Sequence, residues 1–312
     1  MDQVRNNPQA VSSNERTRFF VLTGSVDAPA RTRLHLLIEG LRTFGGRLRG
    51  CPVWVFTPDT QTASALAPGL NLPDVRVIPL AERDGPLYYF TTKVHACAQA
   101  EALAVQQGVR SLVWLSPTTM VVNSPLMFDL APAYDAALRP VHIKNVGLMT
   151  DEPLDDFWQA IFRRLEITDT TARVESFVDA LQIRPYYNSH LFAIDPAQGV
   201  LRTWHEHFQA MIADQAFQSG PCQDERHQVF LHQAIWSALI TKLLDGERIR
   251  LLPPEYSYPL HFHPEIPAPR RAQTLNDLVC PVYEGAYTYP DTLNGLDVQE
   301  PLKSWLVAHA PS

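Results

Sequence analysis

The chain contains 312 residues, of which 46% are hydrophobic and 19% are charged. A chain of this length and composition buries a large core, which excludes disorder as the dominant state. The 26 Lys and Arg residues are outnumbered by 33 Asp and Glu residues, so the formal net charge is -7 and no domain-wide positive field exists to collect nucleic acid or an anionic membrane.

The first residues are polar and lack apolar periodicity, which predicts a disordered arm over residues 1–18. They contain no apolar core of the kind that a secretory signal requires, so we expect a cytoplasmic protein. The longest apolar runs, such as residues 229–231, are far shorter than the roughly 20 residues of a membrane-spanning helix. The sequence therefore predicts no membrane span.

The cysteines are widely scattered and form no Cys-x-x-Cys pair. Their positions are Cys51, Cys97, Cys222 and Cys280. This spacing predicts reduced, buried thiols rather than disulfides or a zinc site.

Residues 19–24 form a continuous apolar run that ends at Gly24, as is typical of a strand buried on both faces of a parallel sheet. Leucines at helical spacing then predict a helix that ends at Gly45. Further strands are predicted over residues 52–56, 75–78 and 111–115, and a helix over residues 92–107. This alternation predicts an α/β fold with a mostly parallel sheet wrapped by helices.

The second half begins with an extended segment over residues 135–141, followed by a helix whose apolar face runs from residue 154 to residue 165. A strand is predicted over residues 190–194, with helices over residues 199–217 and 224–244. The tail from Leu251 is rich in Pro and Tyr. We therefore expect one α/β domain over residues 19–265 and a wrap or lid over residues 266–312.

In open α/β sheets the ligand binds outside the carboxyl ends of the strands. This rule selects the segment Thr23, Gly24 and Ser25, the residues after the strand at 111–115, and the turn that enters the next strand at His190. The Gly24 turn could bring backbone amides close to a nucleotide, or it could only turn the chain.

Several motifs in this order carry a resemblance to a known family. They are residues 20–27, the helix end at 41–44, Lys93 with the following Ala96, Ala100 and Glu101, residues 113–122, and residues 187–192. Together they resemble the nucleotide-diphospho-sugar transferases of GT-A fold, nearest to glycosyltransferase family 8, over roughly residues 18 to 263. The resemblance implies a GT-A fold, a nucleotide-sugar pocket over the strand ends, and an acceptor side built by the second half.

The chain departs from the family where these enzymes usually carry Asp-x-Asp, whose carboxylates hold a divalent cation, Mn or Mg, on the diphosphate. Here the two positions are Ser116 and Thr118. Hydroxyl groups are poor ligands for a hard cation, so the usual metal site is either absent or assembled differently. The two residues either end the strand or hydrogen-bond a ribose or phosphate.

Another group must then neutralise a diphosphate leaving group. The family pattern brings Lys93 near the pocket, where its charge could do this, although a solvated helix lysine is the alternative. On a strand, His261 and His263 would face the same side and could jointly bind a phosphate or a metal. The resemblance supports His261 as a diphosphate or metal residue. The alternative is a hydrogen-bonded structural pair.

The candidate catalytic residues lie in the second half. Asn188 opens the strand at the position where GT-A enzymes often contact the acceptor or the transferred sugar. Asp224, Gln228 and His232 share a helical face and could orient an acceptor, although amphipathicity alone produces such spacing. The acceptor-side loop is expected to contain Arg139 and His142.

The sequence predicts a glycosyltransferase that moves a sugar from a nucleoside-diphosphate donor to an unknown small-molecule, glycan or peptide acceptor. The alternative is a non-catalytic or repurposed GT-A domain that binds a nucleotide, a sugar or a protein partner. The chain has no Gly-x-Ser-x-Gly elbow, phosphate loop or Gly-x-Gly-x-x-Gly fingerprint, so hydrolase and dinucleotide-binding functions have little support.

Overall fold

The computed structural model of the protein describes residues 18–81, 87–168 and 172–310. Nearly all of the predicted N-terminal arm, residues 1–17, lies outside the described residues. The strands of the described residues are β1 (Arg18–Thr23), β2 (Val53–Thr57), β3 (Val75–Pro79), β4 (Ser111–Leu115), β5 (Ala136–Leu138), β6 (Val174–Glu175), β7 (Gln182–Ile183), β8 (Leu191–Ile194), β9 (Ile249–Leu251), β10 (Tyr256–Pro259) and β11 (Cys280–Val282). Seven of them form one sheet in the order β3-β2-β1-β4-β8-β5-β9, and β6 with β7 and β10 with β11 form two separate two-stranded sheets.

Helices cover both faces of the seven-stranded sheet. The α-helices of the described residues are α1 (Ala28–Phe44), α2 (Thr60–Leu66), α3 (Thr91–Gln106), α4 (Asp156–Arg164), α5 (Val200–Ala213), α6 (Gln215–Ser219), α7 (Glu225–Leu243) and α8 (Leu302–Ala308), the last of which packs in the C-terminal part of the chain. Because side chains alternate along a strand, Phe20 and Leu22 of β1 pack in the same cluster as Leu34 of α1. Val21 of the same strand packs in the cluster on the opposite face, which includes Trp204 of α5.

The sheet is parallel except at β8, which pairs antiparallel with both β4 and β5. Strands β1, β2, β3 and β4 pair in parallel, as the alternation of strands and helices predicts. The predicted α/β fold with a mostly parallel sheet is therefore confirmed, and its topology is compatible with a GT-A-like fold. Among the described residues, no helix combines the length and the hydrophobicity needed to cross a membrane.

The C-terminal part of the chain is ordered and packs against the segment that follows β4. Strands β10 and β11 pair in parallel, and the backbone N–H of Met120 donates to the carbonyl oxygen of Pro281 at 2.9 Å. Leu302 and Leu306 of α8 are buried in the same cluster as Met120. We call residues 266–310, the described part of the predicted wrap, the C-terminal wrap.

Two details of the sequence analysis are settled by the structure. The cysteines are free and buried, as predicted. The single helix predicted over residues 199–217 is wrong, because α5 ends at Ala213 and a new helix begins after Asp214. The Asp214 carboxylate accepts a hydrogen bond from the backbone N–H of Phe217 at 3.1 Å and so caps α6.

Candidate functional site

The ends of β1 and β4 and the beginning of β8 meet at one edge of the sheet. Val21 lies beside Trp114, and continuing this register brings Thr23 level with Ser116. The backbone N–H of Ser116 donates to the carbonyl oxygen of His190 at 2.7 Å. The predicted strand ends are therefore neighbours, at the edge where ligands bind in open α/β sheets.

The turn after β1 is shaped by packing. A Cβ atom on Gly24 would lie 2.6 Å from Cδ2 of Leu66 and 2.9 Å from Cγ1 of Val55, so a larger residue would overlap both side chains. Ser25 Oγ donates to the carboxylate of Asp27 at 2.9 Å, and Asp27 caps α1. Packing and capping account for Gly24 and Ser25 without a ligand.

Ser116 and Thr118 follow β4, and their hydroxyl oxygens lie 3.0 Å apart within hydrogen-bonding distance of each other. Two hydroxyls offer no negative charge, and Mg²⁺ and Mn²⁺ require oxygen ligands that repay dehydration. In the part of the chain that the structure describes, no three His, Cys, Asp or Glu side chains are arranged to hold a metal ion. The residues at this position do not fit a divalent cation.

Asn188 lies just before β8 and is 3% exposed. Its Oδ1 accepts hydrogen bonds from the backbone N–H of His190 at 2.8 Å and from the ring Nδ1 of His190 at 2.5 Å. Its Nδ2 lies 3.1 Å from Nε2 of His142. Because Nδ1 of His190 donates to Asn188, Nε2 of the neutral ring is the acceptor nitrogen. Asn188 therefore fixes the orientation of His190.

Lys93, on the first turn of α3, points inward. Its Nζ donates to the carbonyl oxygen of Ser189 and lies 5.8, 5.6 and 5.9 Å from the ring centroids of Phe90, Trp114 and Trp204. Burial lowers the pKa of the Lys93 ammonium to about 7. Lys93 is therefore half-buried at the edge where the strand ends meet, and its ammonium contacts a carbonyl oxygen and aromatic rings, which disfavours the solvated-lysine alternative.

His232 of α7 lies in the same cluster of side chains. Its Nε2 lies 3.1 Å from the hydroxyl of Ser189, and its ring stacks on Phe90 with the centroids 4.1 Å apart. The Ser189 hydroxyl also donates to Oε1 of Gln233 at 3.1 Å. These contacts tie α7 and the beginning of α3 to the turn that carries Asn188.

Three imidazoles face one another at this edge. The rings of His142 and His190 stack with centroids 5.7 Å apart, and the ring of His261 lies 6.2 Å from that of His142. Burial lowers the pKa of each of the three, and that of His190 falls to about 3 because nearby Lys93 and His261 also disfavour its cationic form. The histidines are therefore neutral near pH 7.

The predicted geometry of the late histidine pair is wrong. Residues Leu260–Glu265 form a 3-10 helix rather than a strand, so side chains two residues apart do not share a face. His261 turns toward His142, whereas Nδ1 of His263 lies 2.7 Å from the hydroxyl of Tyr258. Only His261 joins the three-imidazole group, and His263 has a structural partner.

The polar positions at the start of α7 are separate from this cluster. Asp224 is the N-cap of α7 and pairs with the ring of His227, and Gln228 Nε2 donates to the carbonyl oxygen of Gln223 at 3.4 Å. Of the three residues predicted to share a face, the structure brings only His232 to the turn that carries Asn188, through its contact with Ser189. Within the described residues, neither Asp224 nor Gln228 makes a hydrogen bond to the Lys93 or His190 neighbourhood.

Arg139 follows β5 and is 7% exposed. Its guanidinium lies 5.1 Å from the ring centroid of Phe177, and its carbonyl oxygen accepts from the backbone N–H of Asn188 at 2.8 Å. Burial lowers the pKa of Arg139 to about 10. The backbone of Arg139 therefore positions Asn188, while its charged group packs on an aromatic ring.

The sequence analysis missed two residues that shape the site. Phe90 has φ 60° and Ser257 has φ 64°, a left-handed conformation that is uncommon for residues other than glycine. Phe90 opens α3 with a ring that is 47% exposed above Lys93, and the carbonyl oxygen of Ser257 lies 2.7 Å from Nε2 of His142. The aromatic run that ends at Phe90 is visible in the sequence, but Ser257 has no sequence signal.

No model of a known protein family matches the chain, and no curated protein matches it either. The resemblance to glycosyltransferase family 8 therefore depends on the short motifs, and the sheet topology is compatible only with the broader GT-A-like fold.

Proposed function

We propose that the chain is a glycosyltransferase that transfers a sugar from a nucleoside-diphosphate donor to a hydroxyl-bearing acceptor, similar to family 8 of the GT-A enzymes but without their Asp-x-Asp metal site. The observation that carries the proposal is the convergence of Lys93, Asn188 and His190 where β4 ends and β8 begins. This is the edge of an open α/β sheet at which ligands bind.

Lys93 supplies the positive charge that a diphosphate requires. Its Nζ is held by the carbonyl oxygen of Ser189, and no carboxylate pairs with it among the described residues. A partly buried ammonium without a counter-ion is less favourable than a solvated or paired one, so an incoming phosphate would be favoured. The same anion would raise the pKa of Lys93 and hold the lysine in its charged form.

Asn188 and His190 provide directed hydrogen bonding next to that charge. Asn188 fixes the His190 ring so that Nε2 is an acceptor, and His190 is only half-buried. An acceptor nitrogen at this point binds a hydroxyl of the transferred sugar. The exposed ring of Phe90 offers an apolar surface on which a base or a sugar ring stacks.

A second function is favoured by one observation. The hydroxyls of Ser116 and Thr118 lie within hydrogen-bonding distance of each other, and they do not fit the cation that family members usually hold on the diphosphate. A domain that lost this cation could keep nucleotide or sugar binding without transfer. The two functions differ in turnover and not in binding.

One experiment separates these functions. Thermal unfolding is measured with a panel of nucleoside diphosphates and nucleotide sugars, each with and without manganese, because a ligand of the native state raises the apparent stability. Each stabilising nucleotide sugar is then incubated with the protein and a panel of sugar, polyol and peptide acceptors, with water as the acceptor in the control, and release of the nucleoside diphosphate is followed. The proposal predicts stabilisation without manganese and release by the wild type that Lys93→Ala abolishes. Stabilisation without release supports the binding domain, and no stabilisation contradicts both.

A further inference from the structure

The C-terminal wrap carries a polar cleft next to the proposed donor site. Its volume is about 270 Å³, and it is lined by His261, Tyr283, Glu284, Thr288, Asp291 and Asn294. This volume lies just below the range of pockets for drug-sized ligands, so it suits a smaller molecule such as a single sugar unit. We call it the wrap cleft.

Two residues that line the wrap cleft each carry a buried polar atom with no hydrogen-bond partner in the part of the chain that the structure describes. They are the hydroxyl of Tyr283, a residue that is 3% exposed, and Nδ1 of His261. Most buried polar groups in proteins are paired, because an unpaired one costs free energy. A ligand in the cleft that draws these two side chains into hydrogen bonds would remove that cost.

The other lining groups are those that bind hydroxyls. Glu284 and Asp291 offer carboxylate oxygens and Thr288 offers a hydroxyl. Nδ2 of Asn294 already donates to the carbonyl oxygens of Leu260 and His261, so its Oδ1 is the group left to accept. No Lys or Arg is among the described residues that line the cleft, which disfavours an anionic ligand.

The wrap cleft is continuous with the residues at the ends of the strands. The backbone N–H of Tyr283 donates to the carbonyl oxygen of Thr118 at 3.0 Å, so the cleft wall is attached to the segment that holds Ser116. His261 borders both regions, because its Nε2 lies 3.5 Å from Oε1 of Glu284 and its ring contacts His142. A molecule in the cleft would therefore lie beside the three imidazoles.

We infer that the wrap cleft binds a neutral polyhydroxylated compound, such as a sugar or a cyclitol, and is the acceptor subsite of the enzyme. Its role as an acceptor subsite rests on the proposed function, whereas binding of the polyol does not. Tyr283 and His261 hydrogen-bond the inner hydroxyls of the ligand, and Glu284 and Asp291 accept from the outer ones.

Two tyrosine variants test this inference. Tyr283→Phe removes a hydroxyl that has no partner, whereas Tyr287→Phe removes one that donates to the carbonyl oxygen of Leu306 at 3.3 Å. The two rings are 6.1 Å apart in one cluster, so the variants are matched in size and surroundings. Binding of D-glucose, myo-inositol and D-glucuronate at millimolar concentration is measured by saturation-transfer NMR, and thermal unfolding is measured without ligand.

We expect glucose or inositol to bind more tightly than glucuronate. Tyr283→Phe is expected to weaken that binding about three- to tenfold, the range of one hydrogen bond, without lowering the unfolding temperature. Tyr287→Phe should lower the unfolding temperature and leave the binding of glucose or inositol unchanged. The inference is overturned if none of the three compounds binds, if glucuronate binds best, or if Tyr283→Phe lowers the unfolding temperature and leaves binding unchanged.

The same titrations separate failure of this inference from failure of the proposed function. Polyol binding by a protein that no nucleotide stabilises would support the cleft and contradict the transferase. Nucleotide-sugar turnover by a protein that binds no polyol, even with the nucleoside diphosphate present, would support the transferase and contradict the cleft.

Discussion

The ammonium group of Lys93 donates a hydrogen bond to the carbonyl oxygen of Ser189, the residue between Asn188 and His190. This bond attaches the first turn of α3 to the turn that precedes β8. Among the described residues the charge has no carboxylate partner, and three aromatic rings surround it. Its charge is therefore available to an anionic ligand.

We expect binding of a nucleoside diphosphate to weaken as pH rises above about 7. Burial lowers the pKa of Lys93 from 10.5 to about 7 in the free protein, so the free lysine loses its proton through that range. A bound diphosphate raises the pKa of Lys93, and binding therefore requires a proton that is less available at higher pH. Calorimetric titration between pH 6 and pH 9 measures this dependence.

Lys93→Arg is the control, because arginine keeps its charge throughout this pH range. If the variant binds at all, its affinity should change much less with pH than that of the wild type. An equal fall in both proteins would contradict the assignment of the titrating group to Lys93.

We expect the folded state to lose stability as pH falls below about 6.5. Burial lowers the pKa of His190 from 6.5 to about 3, and it also lowers the pKa of His142 and His232. Between pH 6.5 and about pH 3 the unfolded chain binds protons that the folded chain does not, so acid favours unfolding. The contribution of the neutral histidines to the stability of the fold is therefore fully present above pH 6.5 and is lost as the pH falls. Urea denaturation at a series of pH values gives the slope of the free energy of unfolding against pH.

The His190→Asn variant should lose less stability on acidification than the wild type. A slope equal to that of the wild type would show that His190 is not neutral in the fold.

Replacing both hydroxyls with carboxylates, Ser116→Asp with Thr118→Asp, should create manganese binding. The two oxygens are 3.0 Å apart, and carboxylates would supply the charge that a hard cation requires. Calorimetry with manganese on the double variant, with the wild type as reference, measures the gain. Manganese bound as tightly by the wild type would contradict the conclusion that its hydroxyls do not fit a cation.

Gly24→Ala should destabilise the protein by about 1–3 kcal/mol, the usual cost of overpacking a core. The new methyl group would lie 2.6 Å from Leu66 and 2.9 Å from Val55. Gly50→Ala is the matched control, because a Cβ atom there has no neighbour within 4 Å. Urea denaturation measures the free energy of unfolding of the two variants. Equal stability of both variants would show that Gly24 is not closely packed against Leu66 and Val55.

The parallel sheet was predictable because β1, β2 and β4 are continuous apolar runs followed by glycine or polar turns. The proximity of Thr23 and Ser116 followed from that topology. The geometry of the late histidines could not be predicted, because a 3-10 helix and a strand leave no distinguishing pattern over six residues that include Pro264. The neutral state of the imidazoles depends on burial and on contacts between residues far apart in sequence, such as His142 and His190.

The location of the wrap cleft could not be predicted from the sequence either. Tyr283 lies in a segment without periodicity, and its importance comes from a backbone bond to Thr118 across the fold. Of the three residues predicted to share a helical face, only Gln228 and His232 lie within α7, because Asp224 is its extended N-cap. Only His232 reaches the strand ends, because the first turn of the helix lies outside the cluster.

The most direct test of the central claim is calorimetric titration of a nucleoside diphosphate into the wild type and Lys93→Ala. We predict that Lys93→Ala weakens binding by about 1.5–3 kcal/mol, the range for a hydrogen bond to a charged group. A Lys93→Ala variant that binds the nucleotide as tightly as the wild type would contradict the assignment of this site.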